Sequence, residues 1–279
     1  MKSILGAVIL SIVTGLAWGY FRIGWMVQTE AERMGKGAGR PLGSVIADKE
    51  LVDLPGPVQK YLRASGVVGK PRLWYARMRW RGQFRLHPSE PFAPLWATQY
   101  ARTLPLSRVW SGIALVKKFL PVYARDLYSQ GESNTLVSVL GIYHLSDESG
   151  TKVAQSALVS CLNDMVLLPT ELLDKQIHWE AIDGRSARAT LTAAGTSASA
   201  TYVFNDKGEI VDFVSEDRYR DTEAGMVKTR WSSPFRNHQK WKGFHIPTER
   251  EAIWHLPEGD FSYEKALLMD LEFNNPLPY

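Results

Sequence analysis

Arg77, Arg79 and Arg81 alternate with Ala76, Met78 and Trp80. In an extended strand this spacing projects three guanidinium groups from one face, about 7 Å apart. Like charges so placed need water, carboxylate partners or an anionic ligand. Guanidinium forks suit the phosphate or carboxylate of a head group. Two readings follow: a head-group platform, or a solvated convex face paired with Glu249, Glu251, Asp270 or Glu272 on neighbouring strands.

Tryptophan is the second signal, with ten in 279 residues. Trp74, Trp80 and Trp96 fall in stretches of strand character, and a curved sheet lined with indoles would form an apolar cavity for an acyl chain. The alternative is an ordinary core. Two carboxylates stand out because their places are costly. Asp164 closes a helical stretch, where a negative charge opposes the helix dipole; a buried arginine beside it, or a cap on the next turn, would explain that. Asp126 precedes Tyr128 in a strand. Together in one pocket the two would permit acid–base chemistry, although nothing in their spacing brings them together. The six histidines show no HExxH or Cys/His ligand spacing, so neither metal nor cofactor is expected. Cys161 lies on an apolar helical stripe and reads as inert core.

The elements that must position these residues follow from periodicity. A helix is expected over Pro57–Arg63, with proline in its first turn and Gly66 at its end. A short helix is also expected near Val45–Val52. From Trp74 the period drops to two, and the strand through Arg85 is the clearest in the chain. Further strands are expected at Leu95–Thr103, Ser107–Val116, Val122–Ser129 and Thr135–Leu145. Then Val153, Ala157, Cys161 and Met165 mark an amphipathic helix. A helical turn follows Pro169, and strands are expected again at Ile177–Ile182, Ala187–Ala193, Ala198–Phe204, Ile210–Arg220, Met226–Ser232, Gly243–Ile246, Thr248–Leu256 and Ser262–Phe273, with Asn205-Asp206-Lys207-Gly208 as the turn between two of them. Tight turns and clustered helices indicate an α+β fold with one large antiparallel sheet. Ten or more strands in one sheet would curl into a half-barrel, with helices packed on the concave side.

Ahead of this domain, Ile4 to Phe21 run without a charge. As a helix they span roughly 27 Å, close to a bilayer's hydrocarbon thickness. Trp18, Tyr20 and Trp25 stand where an interfacial aromatic belt would be. A cleaved secretory signal is the other reading, with Ala17-Trp18-Gly19 as cleavage site. The expected organisation is a membrane anchor or signal over 1–27, a linker over 28–44 that includes Gly35-x-Gly37-x-Gly39, and one domain over 45–279. A net charge of +4 suits anionic lipid and is too small to indicate nucleic acid. The side of the membrane and the oligomeric state stay open.

Several motifs, in order, resemble an uncharacterised bacterial family of unknown function. They are Pro57-Val58-x-x-Tyr61-Leu62, Arg81-Gly82-x-Phe84-Arg85, Ala97-x-Gln99-Tyr100, Trp110, Asp126-x-Tyr128, Leu162-Asn163-Asp164, Pro169-Thr170-x-Leu172-Leu173 and Trp179. Where Asp164 stands that family usually has Glu. The strand-rich layout is similar to periplasmic lipoprotein carriers of the LolA type, which implies a half-barrel over an apolar cavity. The combined expectation is a membrane-tethered, non-enzymatic module in the bacterial envelope, its domain on the periplasmic side, binding an apolar or amphipathic ligand such as lipid. The alternatives are an envelope hydrolase or isomerase using a pocket carboxylate, or an interaction protein.

Overall fold

The structure is a computed structural model that describes residues 2–36 and 45–279, with the backbone alone at 2–13 and 16. The glycine-rich part of the expected linker, from residue 37 to 44, lies outside the described residues. Six strands open the domain in a simple meander: β1 (Tyr75–Phe84), β2 (Ala93–Arg102), β3 (Ser107–Val116), β4 (Leu120–Ser129), β5 (Glu132–Val139) and β6 (Tyr143–Ser149). The stretch expected as one strand over Thr135–Leu145 is thus two. Leu140 and Gly141, both at positive φ, turn the chain between them.

After helix α3 (Thr151–Asp164) and a 3-10 turn (Pro169–Leu173), a second group follows: β7 (Ile177–Asp183), β8 (Ser186–Ala193), β9 (Thr196–Phe204) and β10 (Ile210–Ser215). A separate hairpin, β11 (Tyr219–Thr222) with β12 (Gly225–Lys228), stands off the main sheet. The chain ends with β13 (Trp231–Ser232), β14 (Phe235–Trp241), β15 (Phe244–Leu256) and β16 (Gly259–Phe273). β14 has no counterpart in the expectations. Four of its seven residues, Arg236, Asn237, Gln239 and Lys240, are exposed and only Phe235 is buried, so no apolar alternation marks FRNHQKW.

Fourteen strands form one sheet, in the order β6-β5-β4-β3-β2-β1-β16-β15-β13-β10-β9-β8-β7, with β14 paired to β15. The chain enters α3 from the strand at one edge and leaves it for the strand at the other. Helix α3 packs against β4, β5 and β6 as well as β8 and β9. In a flat sheet β5 and β9 would stand roughly 40 Å apart, at about 4.8 Å per strand. One helix reaches both only because the sheet curls around it. The β4–β5 turn even meets the β8–β9 turn, where a Cβ on Gly131 would come 2.6 Å from that of Ala194.

Helix α2 (Gly56–Ser65) forms where expected, with Gly66 closing it at φ 78°. The short helix expected near residue 45 is a single 3-10 turn, Asp48–Leu51. The inner core combines Val58 and Leu62 of α2, Leu158 and Leu162 of α3, and Met78, Phe213, Ile246 and Leu271 of the sheet.

A second cluster lies on the outer face. Helix α1 runs from Lys2 to Lys36, through the stretch expected as anchor and into that expected as linker. Ile23, Val27, Ala31 and Met34 recur at helical spacing and are buried against Tyr75, Tyr100, Val109, Tyr123 and Leu136. Arg125 anchors the docked half: it donates to the Asn134 carbonyl at 3.1 Å and pairs with Glu30 at 3.5 Å. Burial raises the Glu30 carboxyl above its usual range, against the opposing charges of Arg125 and Arg33. Gly19 permits the closest approach, since a Cβ there would lie 1.9 Å from the Leu140 carbonyl oxygen. Gly19→Ala is therefore expected to lift α1 off the β5–β6 turn. Hydrogen exchange at Ile23–Met34 should speed up, while amides of β9 and β10 keep their protection; unchanged exchange along α1 would contradict this packing.

Candidate functional site

The C-terminal end of α3 is buried, and that costs its last carbonyls their water. Tyr202 Oη donates to the Leu162 carbonyl at 2.7 Å, and Tyr61 Oη to that of Val166 at 2.9 Å. The same end carries Asp164, whose side chain is 4% exposed. Arg108 of β3 donates through Nε to its Oδ2 at 2.6 Å, and Arg250 of β15 through Nη1 to its Oδ1 at 3.2 Å. The buried arginine partner anticipated for this carboxylate is therefore two arginines, drawn from either side of the sheet's central strands.

The network extends outward. Arg250 also pairs with Glu264 at 3.4 Å and stacks its guanidinium 4.2 Å from the Trp80 ring. Arg108 lies 4.0 Å from Asp126, so both sequence-singled carboxylates meet on one arginine. Burial alone would pull the Arg108 guanidinium down; Asp164 and Asp126 more than offset it and leave it raised. Removing one member of a buried pair strands the other's charge, at a cost of about 3–5 kcal/mol. Arg108→Met is expected to lose stability of that order in a urea titration. A shift below about 1 kcal/mol would mean that the pair is not holding α3.

Above this network lies a cavity of about 430 Å³. Its walls include Trp110, Trp231, Trp254 and Tyr263 from the sheet and Val153 and Ala157 from α3, with Asp126 and Asp164 at its polar end. Arg218, just before the β11–β12 hairpin, projects along the same wall. It donates to Ser160 Oγ at 2.9 Å and lies 4.5 Å from the Trp231 ring and 5.7 Å from that of Trp254. Among the described residues no carboxylate reaches Arg218 within ion-pairing distance. Trp110 Nε1 and Asn163 Nδ2, on residues that also line the cavity, have no acceptor among the described residues.

The tryptophans and arginines singled out in the sequence lie elsewhere. Trp74 is buried under α1 on the outer face, and Trp96 is 40% exposed on that face. Trp80 is inner core beneath Arg250, its Nε1 donating to Gln99 at 3.1 Å. None of the three lines the cavity. Arg77, Arg79 and Arg81 also point outward, away from it. Arg77 pairs with Glu272 at 3.0 Å, and the Tyr279 ring lies 4.5 Å from Arg77 and 3.9 Å from Arg79. Arg81 is exposed. The alternation of β1 was legible, but which face looks inward depends on the curl of the whole sheet. Arg218 carried no sequence signal: the strand expected over Ile210–Arg220 stops at Ser215, and Arg218 lies in the irregular stretch before β11.

One further arrangement has the order of a hydrolase triad. His255 shares hydrogen bonds with Ser232 Oγ at 2.8 Å and Asp260 at 2.7 Å. Ser232 is 2% exposed and is not part of the cavity wall, so no substrate reaches it and the trio clips β13 to β15. Among the described residues no group of three or more His, Cys, Asp or Glu is placed to hold a metal ion. Cys161 is buried and its thiol is pushed up by that burial, as suits inert core.

A family model matches residues 44–266. The chain belongs to the family of unknown function DUF6544. No curated protein matches the chain significantly. Among solved structures it is similar to a LolA superfamily protein from Nitrosomonas europaea, at 10% identity, covering 80% of this chain and 93% of that one, with a TM-score of 0.39. A putative outer membrane lipoprotein-sorting protein domain from Vibrio parahaemolyticus matches at 8% identity over 74% of this chain and 87% of that one, TM-score 0.38. A DUF1329 family protein from Desulfovibrio piger matches at 9% over 80% and 93%, TM-score 0.35. At such scores the likeness says nothing of what the DUF6544 chain binds.

Glu171, in the 3-10 turn after α3, is 6% exposed, and its Oε1 has no donor among the described residues. Burial raises its carboxyl well above the ordinary range, with the charges of Asp174 and Asp164 adding to the effect. The folded form therefore holds a proton that the unfolded chain releases once pH passes its ordinary value of 4.5. Stability from this group is complete below that pH and declines as pH rises toward the folded-state value. Glu171→Gln, neutral at every pH, should melt higher than the parent at pH 8 and match it at pH 4. Equal melting temperatures at both pH values would show that Glu171 is not held protonated.

Proposed function

We propose that this protein is a membrane-tethered binding module whose cavity accepts an amphipathic ligand with an anionic group, and that it carries no catalysis of its own. The observation that supports this best is Arg218: a guanidinium without a carboxylate partner among the described residues, set beside the indoles of Trp231 and Trp254 in a cavity whose wall also carries Arg85, Arg220, Asp221 and Glu264. Such a site favours an anionic oxygen at the guanidinium and a hydrocarbon body against Trp110, Trp231, Trp254 and Ala157. The cavity's size falls within the range of small-molecule sites.

The tether is read from the charge-free run Ile4–Phe21. Among the described residues no helix is long and apolar enough to cross a membrane. The support is the sequence of that run and the position of α1, which touches the domain from Gly15 onward and is helical back to Lys2. Against a catalytic role for Asp164, both its oxygens already accept from guanidinium groups. Acid–base chemistry would fall to Asp126, whose side chain is 30% exposed.

The test uses the full chain in membranes with a photoactivatable fatty acid. Label is expected on the cavity wall around Trp231 and Trp254. Arg218→Ala is expected to lower labelling about tenfold, the loss of one charge-assisted hydrogen bond. Labelling that ignores the substitution, or that falls only on the outer face, would end this reading.

A further inference from the structure

The first strands send three connections to one end of the sheet. There α1 passes the β5–β6 turn: Ile142 Cδ1 comes within 3.7 Å of where a Cβ on Gly15 would stand, and Arg22 donates to the Gly141 carbonyl at 3.3 Å. The β3–β4 turn lies beside it, since Leu140 N donates to the Pro121 carbonyl at 2.9 Å.

What these two turns expose is unusual for a soluble surface. Phe119 is 77% exposed, Tyr143 70% and Ile142 50%, and the adjoining part of α1 exposes Trp18, Phe21 and Trp25 at 68%, 67% and 72%. Clustered large apolar groups of this kind mark a contact surface. Two lysines sit among them. Lys117 and Lys118 occupy the central positions of a tight turn closed by Phe119 N to the Val116 carbonyl at 3.3 Å, with φ of 52° and 71°. Asn-Gly fits such a turn without steric cost, and two long cationic side chains do not. Strain kept at an exposed tip points to a role for the side chains themselves.

We infer that the β3–β4 and β5–β6 turns rest in the interfacial layer of an anionic bilayer. Phe119, Ile142 and Tyr143 enter at head-group depth, while Lys117, Lys118 and Arg22 meet lipid phosphate. This inference rests on the membrane tether proposed above, because the charge-free run of α1 leaves the domain at these same turns. Aromatic and basic side chains flanking an apolar helix have the composition of a membrane interface. The domain then does not swing on its helix. It is clamped at three points, with the Gly19–Leu140 contact setting the angle.

The full chain is reconstituted into vesicles of phosphatidylcholine and phosphatidylglycerol, carrying one environment-sensitive thiol dye at a time. Cys161, being buried, does not compete for it. Dyes are placed at Phe119→Cys, Tyr143→Cys, Ser11→Cys and, as a water-exposed control on β7, Glu180→Cys. The dyes at 119 and 143 are expected to shift to the blue and lose intensity to spin-labelled lipid, that at 11 more so, and that at 180 not at all. If 11 is quenched while 119 and 143 behave like 180, the tether holds and the docking is overturned. If 11 also stays unquenched, the tether itself fails and the docking with it. Lys117→Asn with Lys118→Gly supplies a variant that relieves strain: its melting temperature should rise while quenching at 143 falls. A rise in melting temperature with quenching intact would overturn the role given to the lysines.

Discussion

The fold depends on bringing one carboxylate, Asp164, to the bottom of a curled sheet and neutralising it there. A fourteen-stranded sheet has two edges and an inner face too large to leave wet. The chain solves both problems by crossing from one edge to the other through α3, which fills the concavity. The crossing ends in a buried helix terminus, where exposed carbonyls and a negative charge would together be costly. Tyr61 and Tyr202 satisfy the carbonyls, and Arg108 and Arg250 hold the charge. Because the two arginines come from β3 and β15, the same contacts that neutralise Asp164 also fix the curl between those strands.

That node also separates core from cavity. Below it, α2, α3 and the sheet pack together, with Tyr61, Leu62, Leu158 and Phe213 all but fully buried. Above it, the β11–β12 hairpin bridges from α3 to the sheet: Tyr219 N donates to Ser156 Oγ, and Arg218 lies across Trp231. The hairpin is an excursion between β10 and β13 and adds no strand to the main sheet. The polar groups of the node form the cavity's charged end, and the indoles its apolar wall.

The outer face follows a different logic. Helix α1 covers the part formed by β1 to β5, and the last residues of the chain cover another part. Tyr279 lies against Arg77 and Arg79, its hydroxyl within hydrogen-bonding distance of Asp270. Like charges two residues apart on a strand thus become a socket for an aromatic ring instead of a lipid platform. Glu272 supplies the ion pair, and Asp270 the second carboxylate, as strand pairing between β1 and β16 requires.

Local patterns carried much of this fold. Alternation marked β1, four-residue spacing marked α3, Pro57 and Gly66 bounded α2, and Asn205-Asp206-Lys207-Gly208 marked the turn before β10, because each of these signals acts over a few residues of backbone geometry. The charge-free run at the N-terminus and the oddity of Asp164 at a helix end were equally plain in the sequence. Tertiary structure decided the rest. Trp80 and Trp110 look alike in sequence, yet one is packed under Arg250 and the other lines the cavity. Asp126 and Asp164 meet on Arg108 although nothing in their spacing says so. Arg218 gains its place only when the sheet has closed around α3. Which face is concave, and where packing stops short of filling it, depends on the twist summed over every strand, and no window of sequence contains that sum.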